Sequence, residues 1–108
     1  DEIEVSQNLK VYILIRDSIP AGFAINSVAH GLLMLEEKYN GDPTYQDWRK
    51  NSFRKVTCKV NDLQYTLAKK QCEHVEVTES ARGGEAMLSI FKPADTFPKL
   101  FKHLPLYK

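Results

Sequence analysis

The chain has 108 residues, of which 43% are hydrophobic, so it is long enough to bury the core of one domain but not of two. Its 15 Lys and Arg nearly balance 14 Asp and Glu, and a formal net charge of +1 excludes an overall field that attracts nucleic acid or membranes. The longest apolar run, within residues 23–35, is shorter than the ~20 residues that span a bilayer, and the N-terminus lacks a signal-peptide pattern. We therefore expect a cytoplasmic protein with no membrane partner.

The two cysteines, Cys58 and Cys72, lie in different predicted elements. Neither a CxxC motif nor the Cys and His spacing of a zinc site is present in the sequence. We therefore expect two reduced thiols in the core, no metal site and no cofactor.

Residues 1–9 are mostly polar and acidic and predict a lead-in, followed by a single domain over residues 10–108. The run VYILI at residues 11–15 has no polar face, which is typical of a central strand covered on both sides. Pro20 and Gly22 then predict a short turn. Apolar residues recur every three or four positions from residue 23 to residue 39 and predict a helix with six residues on its core face: Ile25, Val28, Ala29, Leu32, Leu35 and Tyr39.

Three polar residues, Asn26, Ser27 and His30, interrupt this apolar helix. We expect them to be buried, and a buried polar group costs free energy unless another group satisfies it. Asn26 and His30 are four residues apart and therefore lie one helical turn apart on one face. Gly31 has poor helix propensity, which predicts that another segment of backbone approaches the helix closely there.

The second half of the chain alternates between strand and helix patterns. Asp42 and Pro43 predict the start of a short helix or turn that places Tyr45 and Trp48 on one side, with an irregular loop as the alternative. An amphipathic helix is predicted over residues 63–71, with Leu63, Leu67 and Ala68 apolar. The other predicted elements are strands over 53–60, 73–78 and 85–91, a polar loop over 79–84, a helix over 96–101, and a tail over 103–108 that packs back on the domain. This order predicts an α/β fold, a single-layer four-stranded mixed sheet with helices on both faces.

Five stretches of the sequence resemble the type 2 peptidyl-tRNA hydrolases. VYILIRDSIPAG, from residue 11, resembles the first strand and the turn that follows it in that family, and AINSVAHG, from residue 24, resembles the following helix. KVTCKVNDLQYTLAKK, GGEAMLSIFKPA and the closing HLPLYK resemble the second strand with its helix, the last strand and the C-terminal tail. The resemblance implies the fold of that family over residues 10–108, cleavage of the ester in peptidyl- or aminoacyl-tRNA, tRNA as a partner, and a homodimer.

The resemblance also identifies site residues. His30 falls on the histidine of the family, Glu79 on a loop aspartate and Arg82 on a loop arginine. Three other family positions differ here, because a lysine, a glutamine and a threonine are replaced by Phe23, Ser27 and Ala86. For the homodimer contact, the candidates are Tyr45, Trp48 and the tail.

Ester cleavage requires a proton-transfer group and a donor to the developing oxyanion. We predict His30, Glu79 and Asn26 as catalytic residues, with His30 transferring protons, Glu79 orienting it, and Asn26 or a backbone N–H near Gly22 donating to the oxyanion. The predicted substrate-binding residues are Arg16, Asp17, Ser27, Arg82 and Lys92.

Structural roles are an open alternative for these residues. A lone histidine on a helix is more often bonded to a loop carbonyl than catalytic. Asn26 could tie the helix to the 16–18 turn, and Glu79 with Arg82 could be a solvated loop pair. The second functional hypothesis is accordingly a non-catalytic member of the fold that binds a ligand or a protein.

Basic and aromatic residues are interleaved around residue 50. Such a pattern suits phosphate contact and base stacking. A charge-balanced surface gives the same count, because acidic residues are close by in the sequence at 36, 37, 42 and 47. The residues of this stretch are Trp48, Arg49, Lys50, Phe53, Arg54 and Lys55.

Overall fold

The computed structural model describes residues 8–108, so most of the predicted 1–9 lead-in lies outside the described residues. The described part contains four strands and four α-helices, with a π-helical turn at Trp48–Ser52 and a 3-10 turn at Ser80–Arg82. In chain order the elements are β1 (Lys10–Arg16), α1 (Ala21–Tyr39), α2 (Pro43–Asp47), β2 (Arg54–Val60), α3 (Asp62–Gln71), β3 (His74–Glu79), β4 (Glu85–Phe91) and α4 (Lys99–Lys102).

The strands form one mixed sheet in the order β2-β1-β4-β3. Strand β1 is parallel to β2 and antiparallel to β4, so Ile13 pairs with Thr57 on one side and Ile90 on the other. Strand β3 is antiparallel to β4. The predicted central position of β1 is confirmed.

Alternate residues of β1 enter two separate cores. Val11, Ile13 and Ile15 belong to the core under α1 and α2. Tyr12 and Leu14 point to the opposite face and belong to the core under α3 and α4. Helices therefore cover both faces of the sheet, which explains why β1 has no polar side and confirms the predicted α/β architecture.

The predicted core face of α1 is correct at Leu35 and Tyr39, which are buried, but wrong at Ile25 and Ala29. The helix turns Ala24, Ser27, Gly31, Leu35 and Tyr39 to the sheet, whereas Ile25 is 71% exposed. Ala29 is also exposed, and Val28 and Leu32 are half-buried. Because α1 is apolar on nearly every side, its pattern fits more than one core face, and small residues allow the close approach to the sheet.

Gly31 is at the centre of this close approach. A Cβ atom at Gly31 would lie 2.7 Å from Cδ1 of Ile90 and 3.0 Å from Cγ2 of Val77. The close neighbours are therefore strand side chains, not the backbone segment that the sequence predicted. The orientation of α1 also exposes Asn26 and His30, so the expectation that they are buried is wrong, and of the three polar residues only Ser27 is buried.

Three further predictions on α3, α4 and the thiols need correction. In α3, Tyr65 and Ala68 face the core, whereas Leu63 is 68% exposed. Helix α4 is shorter than the predicted helix because it begins only after Pro98, which has extended backbone angles. Both thiols are free, but only Cys58 is buried in a core, and Cys72 is half-buried.

The C-terminal tail packs back on the domain, as predicted, and its contacts are with β2. The N–H of Lys59 donates to the carbonyl of Pro105 at 3.0 Å, and the N–H of Tyr107 donates to the carbonyl of Thr57 at 2.9 Å. These bonds cover the outer edge of β2. In the part of the chain that the structure describes, no helix is long and apolar enough to cross a membrane.

Candidate functional site

A polar cleft of about 450 Å³ lies between α1 and the end of β3. Helix α1 contributes Asn26, Ser27 and His30 to its lining. Strand β3 and the following turn contribute the segment from Val77 to Ser80, which includes Glu79. All three residues predicted to be catalytic, together with Ser27, therefore line one cleft.

Two features of the fold bring these residues together. Gly31 allows α1 to lie directly on Val77 of β3 and Ile90 of β4, which brings the Asn26–His30 side of the helix beside the end of β3. Glu79 is held where β3 ends, since its carboxylate accepts from the N–H of Ala81 at 3.2 Å and its carbonyl accepts from the N–H of Gly84 at 2.9 Å. Gly83 and Gly84 make this turn with φ angles of +70° and +81°.

The polar side chains of α1 in the cleft have no hydrogen-bond partner among residues 8–108. The amide of Asn26 and the imidazole of His30 are exposed, and the hydroxyl of Ser27 is buried, with that residue 5% exposed. Ser89, the other buried serine, instead shares a 2.9 Å hydrogen bond with Tyr65. The structural alternatives for Asn26 and His30 are therefore not observed, and these groups are available to a ligand.

Arg16 and Arg82 do not line the cleft, but both form ion pairs with Glu85, which is the β4 partner of the cleft residue Glu79. Arg16 contacts Asp62 at 3.0 Å and Glu85 at 3.1 Å, and it donates to the carbonyl of Ala86 at 2.8 Å. Arg82 contacts the other oxygen of Glu85 at 2.8 Å. The hydrogen bond from Arg82 is the largest of several contacts that lower the pKa of Glu85.

This network differs from the predicted loop pair. Arg82 pairs with Glu85 and not with Glu79. Its guanidinium also lies 5.3 Å from the centre of the Phe23 ring, one helical turn before Ser27. Phe23 and Arg82 are therefore in contact beside the cleft, and neither residue lines it.

Of the five predicted substrate-binding residues, only Ser27 lines the cleft. Lys92 is at the opposite end of the sheet, because β4 runs away from the cleft, and it pairs with Asp42 at 2.9 Å. Asp17 follows β1 and is exposed, and its N–H donates to the carbonyl of Val60 at 2.8 Å. The structure thus places Ser27 in the lining and Arg16 and Arg82 outside it, and separates Lys92 from them.

The basic and aromatic stretch around residue 50 is largely engaged within the fold. Trp48 is 1% exposed and packs against Tyr45, so neither ring is available for base stacking or for a dimer contact. Arg49 pairs with Glu36 at 2.6 Å. Nζ of Lys55 lies 3.5 Å from the ring centre of Phe53, which is half exposed and has a φ angle of +55°.

The sequence did not identify Thr78 and Ser80 as cleft residues, although both line it. Both residues are exposed, and no local pattern in the sequence indicates that this strand end faces α1. Within residues 8–108, no group of three His, Cys, Asp or Glu residues is arranged to hold a metal ion.

No family model matches the chain, and no curated protein matches it significantly.

Proposed function

We propose that the protein is a divergent relative of the type 2 peptidyl-tRNA hydrolases, with the fold of that family, and that it cleaves the ester of peptidyl- or aminoacyl-tRNA at the cleft. The observation that carries the proposal is that Asn26, His30 and Glu79 line the same cleft. The sequence resemblance supports the reaction class. It also supports tRNA as a partner.

In the proposed reaction, His30 accepts a proton from a water molecule that attacks the ester carbonyl carbon. The new bond joins the water oxygen to the carbonyl carbon, and the ester bond to the ribose oxygen breaks. His30 then returns its proton to that oxygen, so the products are a carboxylic acid and a hydroxyl group. The amide of Asn26 donates to the oxyanion, and Glu79 orients the imidazole of His30.

The other residues of the site bind the substrate in this proposal. The unpartnered hydroxyl of Ser27 donates to the acyl group at the base of the cleft. Arg16 and Arg82 contact the phosphates of the tRNA backbone, although each already forms an ion pair with Glu85. Phosphate binding is therefore expected to be weak and to depend strongly on salt.

A non-catalytic binding module is the second candidate function. One observation favours it: Glu79 is the only charged side chain among the described residues that line the cleft, apart from the titratable His30. A lone carboxylate repels phosphate and attracts a cationic ligand. In this case Phe23 and Arg82, which contact each other one helical turn from Ser27, would extend the small-ligand site beyond the cleft.

The test is release of N-acetylaminoacyl groups from charged tRNA by the wild type, His30→Ala and His103→Ala. The control residue His103 is also exposed but lies in the tail, outside the cleft. We expect the wild type and His103→Ala to release the acyl group and His30→Ala to lose roughly 100-fold or more in rate. No release by the wild type rejects the hydrolase, whereas release that His30→Ala does not slow rejects the site.

The resemblance also leads us to propose a homodimer. With Tyr45 and Trp48 buried, the exposed part of the tail is the one predicted contact left, and Leu106 is its large apolar side chain. Sedimentation equilibrium checks this, because a monomer at all concentrations would contradict it.

A further inference from the structure

A second pocket lies on the flank of α1 that faces away from the polar cleft. It has a volume of about 180 Å³ and lies over β1 and β2. Its walls include Ile15 of β1, Thr57 of β2 and, from α1, Ala24, Ile25 and Val28, with Tyr107 of the tail closing one side. The pocket is apolar throughout and is large enough for one aliphatic or aromatic side chain.

The tail holds the Tyr107 wall in place. Hydrogen bonds from Lys59 to Pro105 and from Tyr107 to Thr57 attach the backbone of the tail to the edge of β2. Nζ of Lys59 lies 5.4 Å from the centre of the Tyr107 ring. The wall is therefore preformed, so ligand binding does not have to include the free-energy cost of ordering the tail.

An exposed apolar stripe continues from the pocket along the outer face of α1. Ile25 forms the rim, and Ala29 and Leu33 follow at intervals of four residues, so the three are neighbours on the helix surface. Leu33 is 69% exposed. An apolar stripe beside an apolar pocket is typical of a protein interaction surface.

The charges around the pocket indicate the kind of partner. Lys55 and Lys59 are two residues on either side of Thr57 and therefore point to the same face of β2 as that lining residue. Neither lysine forms an ion pair with a carboxylate among the described residues: Lys55 donates to the carbonyl of Phe53 at 2.8 Å, and Lys59 lies over Tyr107. At the far end of the stripe, away from the pocket, the carboxylate of Glu36 is occupied by Arg49 and Tyr45, and Glu37 is exposed.

We propose that this surface binds an acidic peptide segment of another protein. One bulky apolar side chain of the segment enters the pocket, and carboxylates beside it pair with Lys55 and Lys59. A second copy of this chain fits less well, because a two-fold contact centred on the pocket brings the same lysines of both copies together. The surface is separate from the cleft, so the proposal does not depend on the hydrolase activity.

The test is fluorescence anisotropy with a labelled acidic octapeptide that carries one central phenylalanine between aspartates. We expect saturable binding to the wild type that weakens as salt is raised. Replacing the phenylalanine by serine should weaken binding roughly tenfold or more, because the apolar anchor is lost. Replacing the aspartates by lysines should abolish binding.

Two variants of the protein locate the binding surface. Ile25→Asp and Lys59→Glu are both surface changes and should each weaken binding about tenfold. Leu63→Asp is the matched control, because Leu63 is as exposed as Ile25 but lies on α3, across the sheet, and it should bind like the wild type. No saturable binding, or equal binding by all three variants, overturns the proposal. A wild-type dimer that Ile25→Asp dissociates also overturns it, because a second copy would then occupy the surface.

Discussion

Single small residues on α1 determine where the cleft forms. Ala24, Ser27 and Gly31 face the sheet and allow the helix to pack closely on β3 and β4. A larger residue at any of these positions would push α1 outward and separate Asn26 and His30 from Glu79. The glycine at position 31 is therefore explained by packing, not by backbone conformation.

Gly31→Ala is expected to destabilise the protein. Its new methyl group would meet Ile90 at 2.7 Å and the stiff side chain of Val77 at 3.0 Å. Overpacking costs about 1–3 kcal/mol, which outweighs the ~1 kcal/mol gained in helix propensity, so a net loss of about 1 kcal/mol is expected in urea unfolding. The control is Gly22→Ala in the same helix, where no atom lies within 4 Å and stability should be unchanged or slightly higher. If both variants gain stability equally, the close-packing explanation is wrong.

At the scale of elements, Asp42 connects α2 with the end of β4, because it caps the helix and also pairs with Lys92. The carboxylate of Asp42 accepts from the N–H groups of Thr44 and Tyr45 at 2.8 and 3.3 Å. Its other oxygen pairs with Lys92. The hydrogen bond from Lys92 is the main reason why the pKa of Asp42 is lowered, and the same contact raises the pKa of Lys92.

The Asp42→Asn variant should lose less stability than the wild type when the pH is lowered from 6 to 2. Because the pKa of Asp42 is lowered by folding, its ionised form stabilises the folded state above the ordinary carboxyl pKa of ~4, and this contribution disappears as the pH falls through the lowered value. Asparagine is an equally good N-cap, so the variant removes the ion pair and keeps the cap. Measured by urea unfolding, the wild type should exceed the variant by roughly 1 kcal/mol or less at pH 6, and the difference should vanish near pH 2.

The control for this experiment is Asp95→Asn, which changes an exposed carboxylate of the following loop. It should follow the wild type at every pH. A constant difference between Asp42→Asn and the wild type from pH 6 to pH 2 would contradict the role of the Lys92 contact.

For the molecule as a whole, the two thiols report on different opening events. Cys58 is buried in the core under α3 and α4, and this burial raises its pKa to about 11. Cys72 is half-buried at the end of α3, and burial raises its pKa as well. Reaction of Cys58 requires that this core opens, whereas reaction of Cys72 requires a smaller opening.

A thiol reagent such as dithionitrobenzoate at pH 8 should therefore modify Cys72 in the native protein and Cys58 at the rate of global unfolding. Adding urea below the unfolding midpoint should accelerate the Cys58 reaction much more than the Cys72 reaction. The single-thiol variants Cys72→Ser and Cys58→Ser assign the two phases. Equal native-state rates for both variants would contradict the difference in burial.

The short-range features of the fold could be predicted from the sequence. Strand β4 has the predicted bounds, and β1 extends the predicted strand by one residue at each end. Asp42 caps α2 as its position before Pro43 and Thr44 suggested. These features depend on backbone propensity and on hydrogen bonds between near neighbours, which a few consecutive residues encode.

The long-range contacts were decided only by the tertiary structure. The sequence of α1 is apolar on nearly every side and fits several core faces. In the structure the face with Ala24, Ser27 and Gly31 packs on the sheet, because its small residues allow the closest approach. The sequence alone predicted His30, Asn26 and Glu79 as candidates, but the packing of α1 on β3 placed them in one cleft, and the direction of β4 carried Lys92 away from it. Local patterns are encoded over a few residues, whereas the position of a side chain relative to a distant strand depends on strand order and on the volume of the residues between them.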